Sequence, residues 1–117
     1  MIVGVGVDVC PVERWTALAA RRPGLVRRLL TEAEAAVPPE SQAARFAAKE
    51  ALAKALGGPS ARWHDAEVAT DASGKPYFIL RGSAAAAAER LGVARTHLSI
   101  SHDAGLAVAF VVCETAS

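Results

Sequence analysis

Apolar residues alternate with glycine over residues 2–9, and this two-residue period predicts a β-strand that ends at Asp8. Pro11 suits the first position of a helix, so we expect a helix from Pro11 to about Ala20. Apolar positions at helical spacing then predict a second short helix over residues 25–30. The first quarter of the chain is therefore expected to be one strand followed by two helices.

The middle of the chain carries the clearest helical pattern. Thr31 and Glu34 have the form of a capping box, which predicts one helical turn. A longer helix is predicted from Gln42 to Leu56, with Ser41 as its N-cap and the Gly57–Gly58 pair as its end.

The second half of the chain is predicted to be mainly β-structure. Four segments have the composition of short strands: residues 66–70, 76–80, 97–101 and 106–113. The first two are joined by a turn at residues 71–74, and the last two by a hairpin turn at residues 103–105. Ser83 is predicted to cap a small alanine-rich helix that ends at Leu91. Helices and antiparallel hairpins in one chain indicate an α+β fold.

Composition limits the classes of function. The 117 residues are 52% hydrophobic, and we expect residues 1–117 to form a single domain. Only 5% are aromatic, so part of the stability is expected to come from contacts between subunits. The net charge of +1 argues against nucleic-acid binding, and the longest apolar run, residues 104–113, is too short to cross a membrane. Cys10 and Cys113 lack metal-ligand spacing and are typical of reduced thiols, so we expect a cytoplasmic protein.

Two segments are candidates for chemistry, one at the end of the first predicted strand and one in the predicted long helix. Asp8 ends an apolar strand beside glycines, which leave backbone room for a ligand; the alternative is a solvated helix cap. Arg45 and Lys49 lie one helical turn apart, and two such charges repel unless an anion sits between them. Glu50 and Lys54 have the same spacing, and a plain surface ion pair is the alternative for them.

The third candidate is the polar segment of residues 99–103. Ser101 and His102 could donate hydrogen bonds to a phosphate, and Asp103 could hold a metal ion or orient His102. An ordinary polar hairpin tip is the alternative. Carboxylates bind Mg²⁺ and cations bind phosphate oxygens, so the three candidates together indicate a magnesium-dependent enzyme acting on a phosphorylated small molecule.

Six motifs follow one another in a recognisable order. The most specific is Arg45–Ala51, and the others are Val5–Asp8 with Glu13 and Arg14, Leu30–Glu32, Trp63–Val68, Gly74–Pro76 and Ser99–His102. Their order and spacing resemble the holo-[acyl-carrier-protein] synthases, the small 4′-phosphopantetheinyl transferases of fatty-acid synthesis. The resemblance spans almost the whole chain. Asp103 departs from it, since many members carry serine there.

The resemblance implies a phosphopantetheinyl transferase fold, with an antiparallel sheet packed against helices. It implies transfer of 4′-phosphopantetheine from coenzyme A to a serine of an apo acyl carrier protein, with release of adenosine 3′,5′-bisphosphate. Asp8 and Glu50 match the Mg²⁺ ligands of the family, and Lys54 matches the lysine near the reacting phosphate. His102 and Asp103 complete the predicted catalytic residues; a metal-held water, Glu50 or Asp103 could serve as the base. The residues predicted to line the coenzyme A site are Arg45, Lys49, Lys54, Gly74, Lys75, Pro76, Ser101 and His102.

The same resemblance implies a homotrimer with an active site at each subunit interface. Residues 1–30 contain five arginines and two acidic residues, and acyl carrier proteins are acidic. We therefore expect Arg14, Arg21 and Arg22 to bind the carrier, against the alternative of a solvated face. Competing functions are a transferase that serves polyketide or peptide synthases and a non-catalytic carrier-binding module. The module would not need the carboxylates at residues 8 and 50.

Overall fold

A three-stranded antiparallel sheet with one long helix packed across it forms the frame of the molecule. The computed structural model of the chain describes residues 1–59 and 61–117. The strands of this sheet, in spatial order, are β1 (Ile2–Pro11), β5 (Leu106–Glu114) and β4 (Arg95–Asp103). A separate antiparallel pair consists of β2 (Ala66–Thr70) and β3 (Pro76–Leu80). Both strands have the predicted first and last residues.

Five helices occur in the described residues. They are α1 (Val12–Arg21), α2 (Pro23–Leu29), α3 (Glu32–Ala35), α4 (Pro39–Ala55) and α5 (Gly82–Arg90). A 3₁₀ turn at Trp63–Asp65 precedes β2. None of the helices formed by residues 1–59 and 61–117 has the length and apolar character needed to cross a membrane.

The helix α4 lies directly on β1 because two glycines face it. A Cβ atom at Gly4 would overlap the carbonyl oxygen of Ala55, and one at Gly6 would overlap that of Ala51. Small residues on the helix and on β5 complete the close contact, and the most deeply buried of them are Ala43, Ala47, Ala51, Ala107 and Ala109. The glycines beside Asp8 thus make room for a helix and not for a ligand, which corrects our interpretation of them.

Several helix starts differ from the predicted ones, and α2 begins at Pro23, two residues earlier than predicted. β1 continues to Pro11, which pairs with Leu106, so α1 begins one residue later than predicted. α4 begins at Pro39, and Ser41 lies inside its first turn, because proline is well tolerated at the first helical position. The predicted end of α4 is confirmed: the amide of Gly58 donates to the carbonyl of Ala53 (2.8 Å), as in a Schellman motif.

The predicted cap of α5 is also wrong, whereas two turn predictions are confirmed. Arg81 is the N-cap residue of α5, and the Ser83 hydroxyl donates to Asp65 Oδ2 (2.6 Å). The hairpin between β4 and β5 turns at Ala104 and Gly105, both with positive φ (51° and 76°). The capping box of α3 is present with both of its hydrogen bonds.

Candidate active site

Asp8 and Lys54 connect β1 to the last turn of α4. Lys54 Nζ donates to the carbonyl of Val7 (2.9 Å) and to Asp8 Oδ1 (3.2 Å). The Asp8 side chain is 19% exposed and that of Lys54 is 56% exposed, so both remain open to solvent. Pro11, the N-cap of α1, has no side-chain capping bond, and Asp8 therefore does not serve as the helix cap that we considered.

Glu50 lies one turn before Lys54 on α4 and is partly buried. Burial raises the pKa of the Glu50 carboxyl, and the negative charge of Asp8 raises it further, whereas Lys54 opposes the shift. The structure thus brings together the three residues predicted for the reaction centre. Lys54 pairs with Asp8 and not with Glu50, so the alternative of an isolated Glu50–Lys54 surface pair does not hold.

Two carboxylates close enough to repel each other fit a divalent cation. Their mutual repulsion is relieved when a cation lies between them, and carboxylate oxygens are ligands that Mg²⁺ prefers. Residues 1–59 and 61–117 contain no group of three or more His, Cys, Asp or Glu side chains placed to hold a metal ion. Asp8 and Glu50 would therefore be joined by oxygen ligands from a bound molecule or from water.

Lys49 is buried and has no contact with the surface. Its side chain is 1% exposed, and its Nζ lies 2.6 Å from Glu34 Oε1. The same nitrogen donates to the carbonyls of Leu29 and Trp63, each at 2.9 Å. An ammonium group has three hydrogens, and these acceptors use all of them. Lys49 is thus not available as a direct ligand of coenzyme A, which corrects its predicted role.

Lys49 thus already has an anionic partner within the protein, the carboxylate of Glu34. Sequence analysis missed Glu34 as a partner because the capping box already accounted for it. Burial lowers the pKa of the Lys49 ammonium, and the hydrogen bond to Glu34 opposes that shift. Arg45 differs from Lys49: its Nε is buried without a hydrogen-bond partner in the part of the chain that the structure describes.

A small apolar cavity adjoins the reaction centre. Its volume is about 110 Å³, and Glu50 and Trp63 are among its lining residues. Leucine, alanine and proline side chains from the end of α4 and the following loop form most of its wall: Leu52, Ala53, Leu56, Pro59 and Ala61. Glu50 thus lies between the Asp8–Lys54 ion pair and an apolar cavity.

His102 does not lie beside the carboxylate pair of its own chain. Its Nε2 is 3.3 Å from the carbonyl of Glu40, in the first turn of α4. Glu50 follows Glu40 by ten residues, which is about 15 Å along a helix axis. His102 is thus at the opposite end of α4 from the reaction centre.

Ser101 and Asp103 are also remote from Asp8 within one chain. Ser101 pairs with Val108 and points to the sheet face opposite α4. β5 separates β4 from β1, so Asp103 is about 10 Å from β1 across the sheet. It also lies three residues beyond the level of Asp8, which adds about 10 Å along the strands. One chain therefore carries the predicted site in two separate parts.

The turn that presents Lys75 is well ordered by hydrogen bonds. Asp71 Oδ1 accepts from the amide of Ser73 (2.9 Å) and from that of Lys75 (3.0 Å), and Gly74 has a φ of 87°. Hydrogen bonds from the Ser73 hydroxyl and the Lys75 amide lower the pKa of the Asp71 carboxyl. Lys75 and Pro76 border a groove of about 280 Å³ with Phe110, on the uncovered side of the large sheet. These predicted coenzyme A contacts belong to the second part of the site.

The arginines of the first two helices form an exposed basic surface. Arg14, Arg21 and Arg22 are all exposed, as are Arg27 and Arg28. Within the described residues, none of the five takes part in an ion pair. The opposite side of α1 is anchored on α4 by Trp15, which is buried and stacks on Phe46 at 5.3 Å between ring centroids. The packing of Trp15 against α4 thus leaves the arginine side of α1 exposed to solvent.

Known proteins share this fold and sequence. The chain matches the model of the 4′-phosphopantetheinyl transferase superfamily over residues 4–111. A holo-[acyl-carrier-protein] synthase of Cutibacterium acnes is 61% identical over 115 residues, which cover 97% of this chain and 99% of that protein. The crystal structure of the corresponding synthase from Neisseria meningitidis has a TM-score of 0.89 at 33% identity, covering 98% of this chain and 100% of that chain.

A second solved structure with this fold contains the relevant ligand. The holo-[acyl-carrier-protein] synthase of Bacillus anthracis, in complex with CoA (3′,5′-ADP), has a TM-score of 0.80 at 35% identity and covers 99% of either chain. These matches define the class of the protein: it is a transferase enzyme. The chain belongs to the 4′-phosphopantetheinyl transferase superfamily. The predicted resemblance and the predicted α+β fold are both confirmed.

Proposed function

We propose that the protein transfers the 4′-phosphopantetheine group of coenzyme A to a serine of an apo acyl carrier protein, with Mg²⁺ as its cofactor. The observation that carries this proposal is the meeting of Asp8, Glu50 and Lys54 between β1 and α4. The names of the relatives and the coenzyme A complex of a structural neighbour support the same substrates. Both cysteines are buried and free, which supports a reducing compartment such as the cytoplasm.

The reaction exchanges a phosphoanhydride bond of coenzyme A for a phosphate ester bond to serine. The serine oxygen forms a bond to the β-phosphorus of coenzyme A, and the bond from that phosphorus to the bridging oxygen breaks. Adenosine 3′,5′-bisphosphate leaves with the electron pair of the broken bond, and the serine hydroxyl proton passes to a base, for which a metal-held water, Glu50 and Asp103 are the candidates. Negative charge thus builds on the phosphate oxygens and on the leaving group.

The residues of this chain fit that charge distribution. Asp8 and Glu50 would hold Mg²⁺, which supplies positive charge next to the pyrophosphate oxygens when it is bound. Lys54 lies against Asp8 and is 56% exposed, so its ammonium is available to a phosphate at the same place. The apolar cavity beside Glu50 would receive a part of coenzyme A close to the reacting phosphate.

We further propose that the enzyme works as a homotrimer with sites shared between subunits. His102, Asp103 and Lys75 lie away from the carboxylate pair of their own chain, so one chain alone does not assemble the whole predicted site. The sheet face opposite α4 is apolar and exposed; it includes Val5, Val7, Val9 and Phe110, each between 46% and 55% exposed. An exposed apolar face of this kind marks a protein interface.

The basic surface of α1 and α2 is the proposed docking site of the carrier. Arg14→Glu is expected to raise KM for the carrier protein about tenfold or more, because a repelling charge replaces an attracting one. KM for coenzyme A should change much less. Steady-state kinetics with each substrate varied in turn measure both constants. Equal effects on the two constants would contradict a docking role for Arg14.

The proposed activity is tested by intact mass spectrometry of apo carrier proteins incubated with the enzyme, coenzyme A and Mg²⁺. We expect the carrier to gain about 340 Da, the mass of one phosphopantetheine group. EDTA should prevent the gain, and added Mg²⁺ should restore it. Carriers from fatty-acid and polyketide pathways are to be compared, since both are possible substrates. A folded protein that modifies none of them would be a binding module and not this enzyme.

A further inference from the structure

The buried ion pair between Glu34 and Lys49 joins parts of the chain that are far apart in sequence. Glu34 Oε1 contacts Lys49 at 2.6 Å and also accepts from the amide of Thr31 (2.9 Å). Its other oxygen, Oε2, accepts from the amide of Val68 (2.8 Å). The pair thereby connects α3 and β2 to α4.

Lys49 extends the same network to the edge of the cavity. Its Nζ donates to the carbonyl of Leu29, at the end of α2, and to the carbonyl of Trp63, in the 3₁₀ turn. Trp63 lines the cavity beside Glu50, and its ring lies 5.8 Å from that of Phe46 between centroids. Lys49 precedes Glu50 on α4 and therefore fixes the position of a cavity wall relative to that carboxylate.

We propose that Glu34 and Lys49 form a positioning pair of the coenzyme A site. Through the hydrogen bond from Lys49 to the Trp63 carbonyl, they hold the cavity wall at a fixed position relative to Glu50. This inference rests on the proposed function, because it assigns the cavity to coenzyme A. Lys49 also lines the cavity, but its three ammonium hydrogens are used by Glu34, Leu29 and Trp63. The pair therefore acts as a positioning pair and not by hydrogen bonding to the substrate. Their effect on the reaction is exerted through Trp63 and the loop that follows α4.

Burying an ion pair carries a large desolvation penalty. Replacing both members of such a pair by uncharged groups of similar size often leaves a protein as stable as before. Stability alone is thus a weak reason for the pair. The charged form has a property that an apolar pair lacks, which is three directed hydrogen bonds from one ammonium group to three different segments.

The test is the double variant Glu34→Gln/Lys49→Met, which removes both charges and leaves no unpaired buried charge. Its matched control is Glu67→Gln/Arg81→Met, which removes the partly exposed ion pair of β2 and Arg81. Coenzyme A affinity is measured by calorimetry with Mg²⁺ and without a carrier. Hydrogen exchange is measured over residues 26–31 and 62–66, with β5 as an internal reference.

We expect the double variant to fold and to bind coenzyme A about tenfold more weakly, with KM for the carrier nearly unchanged. Exchange should be faster over residues 62–66 and unchanged in β5. The control variant should retain the affinity of the natural protein. Natural affinity in Glu34→Gln/Lys49→Met, or equal weakening in the control, would overturn the positioning role. If the natural protein binds coenzyme A but modifies no carrier, the proposed function fails while the affinity comparison still decides this inference.

Discussion

The loss of activity that follows removal of a carboxylate depends on the surroundings of that carboxylate. Asp8 is covered by α4 and bonded to Lys54 (3.2 Å), whereas Asp103 stands exposed at the end of β4. Asp8→Ala is therefore expected to lower kcat/KM more than about a hundredfold, and Asp103→Ser less than about tenfold. Steady-state transfer assays of the two variants at saturating Mg²⁺ measure the difference. Equal losses would make Asp103 an essential member of a shared site.

Single residues also show how far sequence reasoning extends. Asp8 and Glu50 were predicted because each stands in a specific motif, and the structure places them together. Lys49 was recognised, together with Arg45, as one of two like charges one helical turn apart that needed an anion. Glu34 could not be identified as that anion, because only the folding of α3 back onto α4 brings the two side chains into contact.

At the level of elements, the contact between β1 and α4 sets the geometry of the site. Gly6→Ala places a methyl group against the Ala51 carbonyl of α4, so one of the two elements must move. We expect a loss of at least about 3 kcal/mol of unfolding free energy, together with a loss of transfer activity. Urea denaturation and transfer assays measure both effects.

Gly24→Ala provides the matched control for that substitution. The nearest atom to a Cβ at Gly24 is in the flexible Arg27 side chain, at 3.7 Å, and residue 24 lies within α2. Alanine favours helix over glycine by about 1 kcal/mol, so this variant should be as stable as the natural protein or more so. Similar destabilisation by both variants would show that the close approach of α4 to β1 is not the cause.

The start of α5 contributes stability that depends on pH. Hydrogen bonds from the Ser83 hydroxyl and amide hold the pKa of the Asp65 carboxyl below its usual value. A lowered pKa means that the bonds stabilise the fold above the unfolded-state pKa of about 3.9. That stabilisation disappears as the pH falls through the folded-state pKa. Ser83→Ala should therefore destabilise the protein more at pH 7 than near pH 3 in urea denaturation, and a pH-independent difference would contradict this account.

The bounds of β2 and β3 followed from proline, glycine and alternation, which act within a few residues. The first residues of α4 and α5 were not predicted correctly by such local signals. Proline at position 39 can begin a helix as well as prevent one, and the Ser83 hydroxyl is used by Asp65, eighteen residues earlier in the chain. Local signals thus predicted β2 and β3, whereas at the start of α5 a distant residue, Asp65, takes up the hydroxyl that was predicted to cap the helix.

In the part of the molecule that the structure describes, the large sheet has one face covered by a helix and one face exposed. α4 covers one side, and the other side exposes Val5, Val7 and Val9 of β1 next to Phe110 of β5. The low aromatic content predicted a need for subunit contacts, but it could not indicate which surface makes them. The alternation of valine and glycine in β1 explains which face is exposed: the glycines contact α4, and the valines stay exposed on the other face, where we propose the subunit contact.

Phe110 tests the proposed trimer because its side chain is central on that face, opposite Val7 and Ser99. Phe110→Glu would place a charge in the interface, and burying an unpaired charge costs several kcal/mol. We expect sedimentation equilibrium to show monomers, and transfer activity to fall with assembly if the site is shared between subunits. Leu91→Glu is the matched control, since Leu91 is 48% exposed against 46% for Phe110 but lies after α5. A trimeric Phe110→Glu variant would show that this apolar face is not the interface, and a monomeric variant with full activity would show that one chain completes its own site.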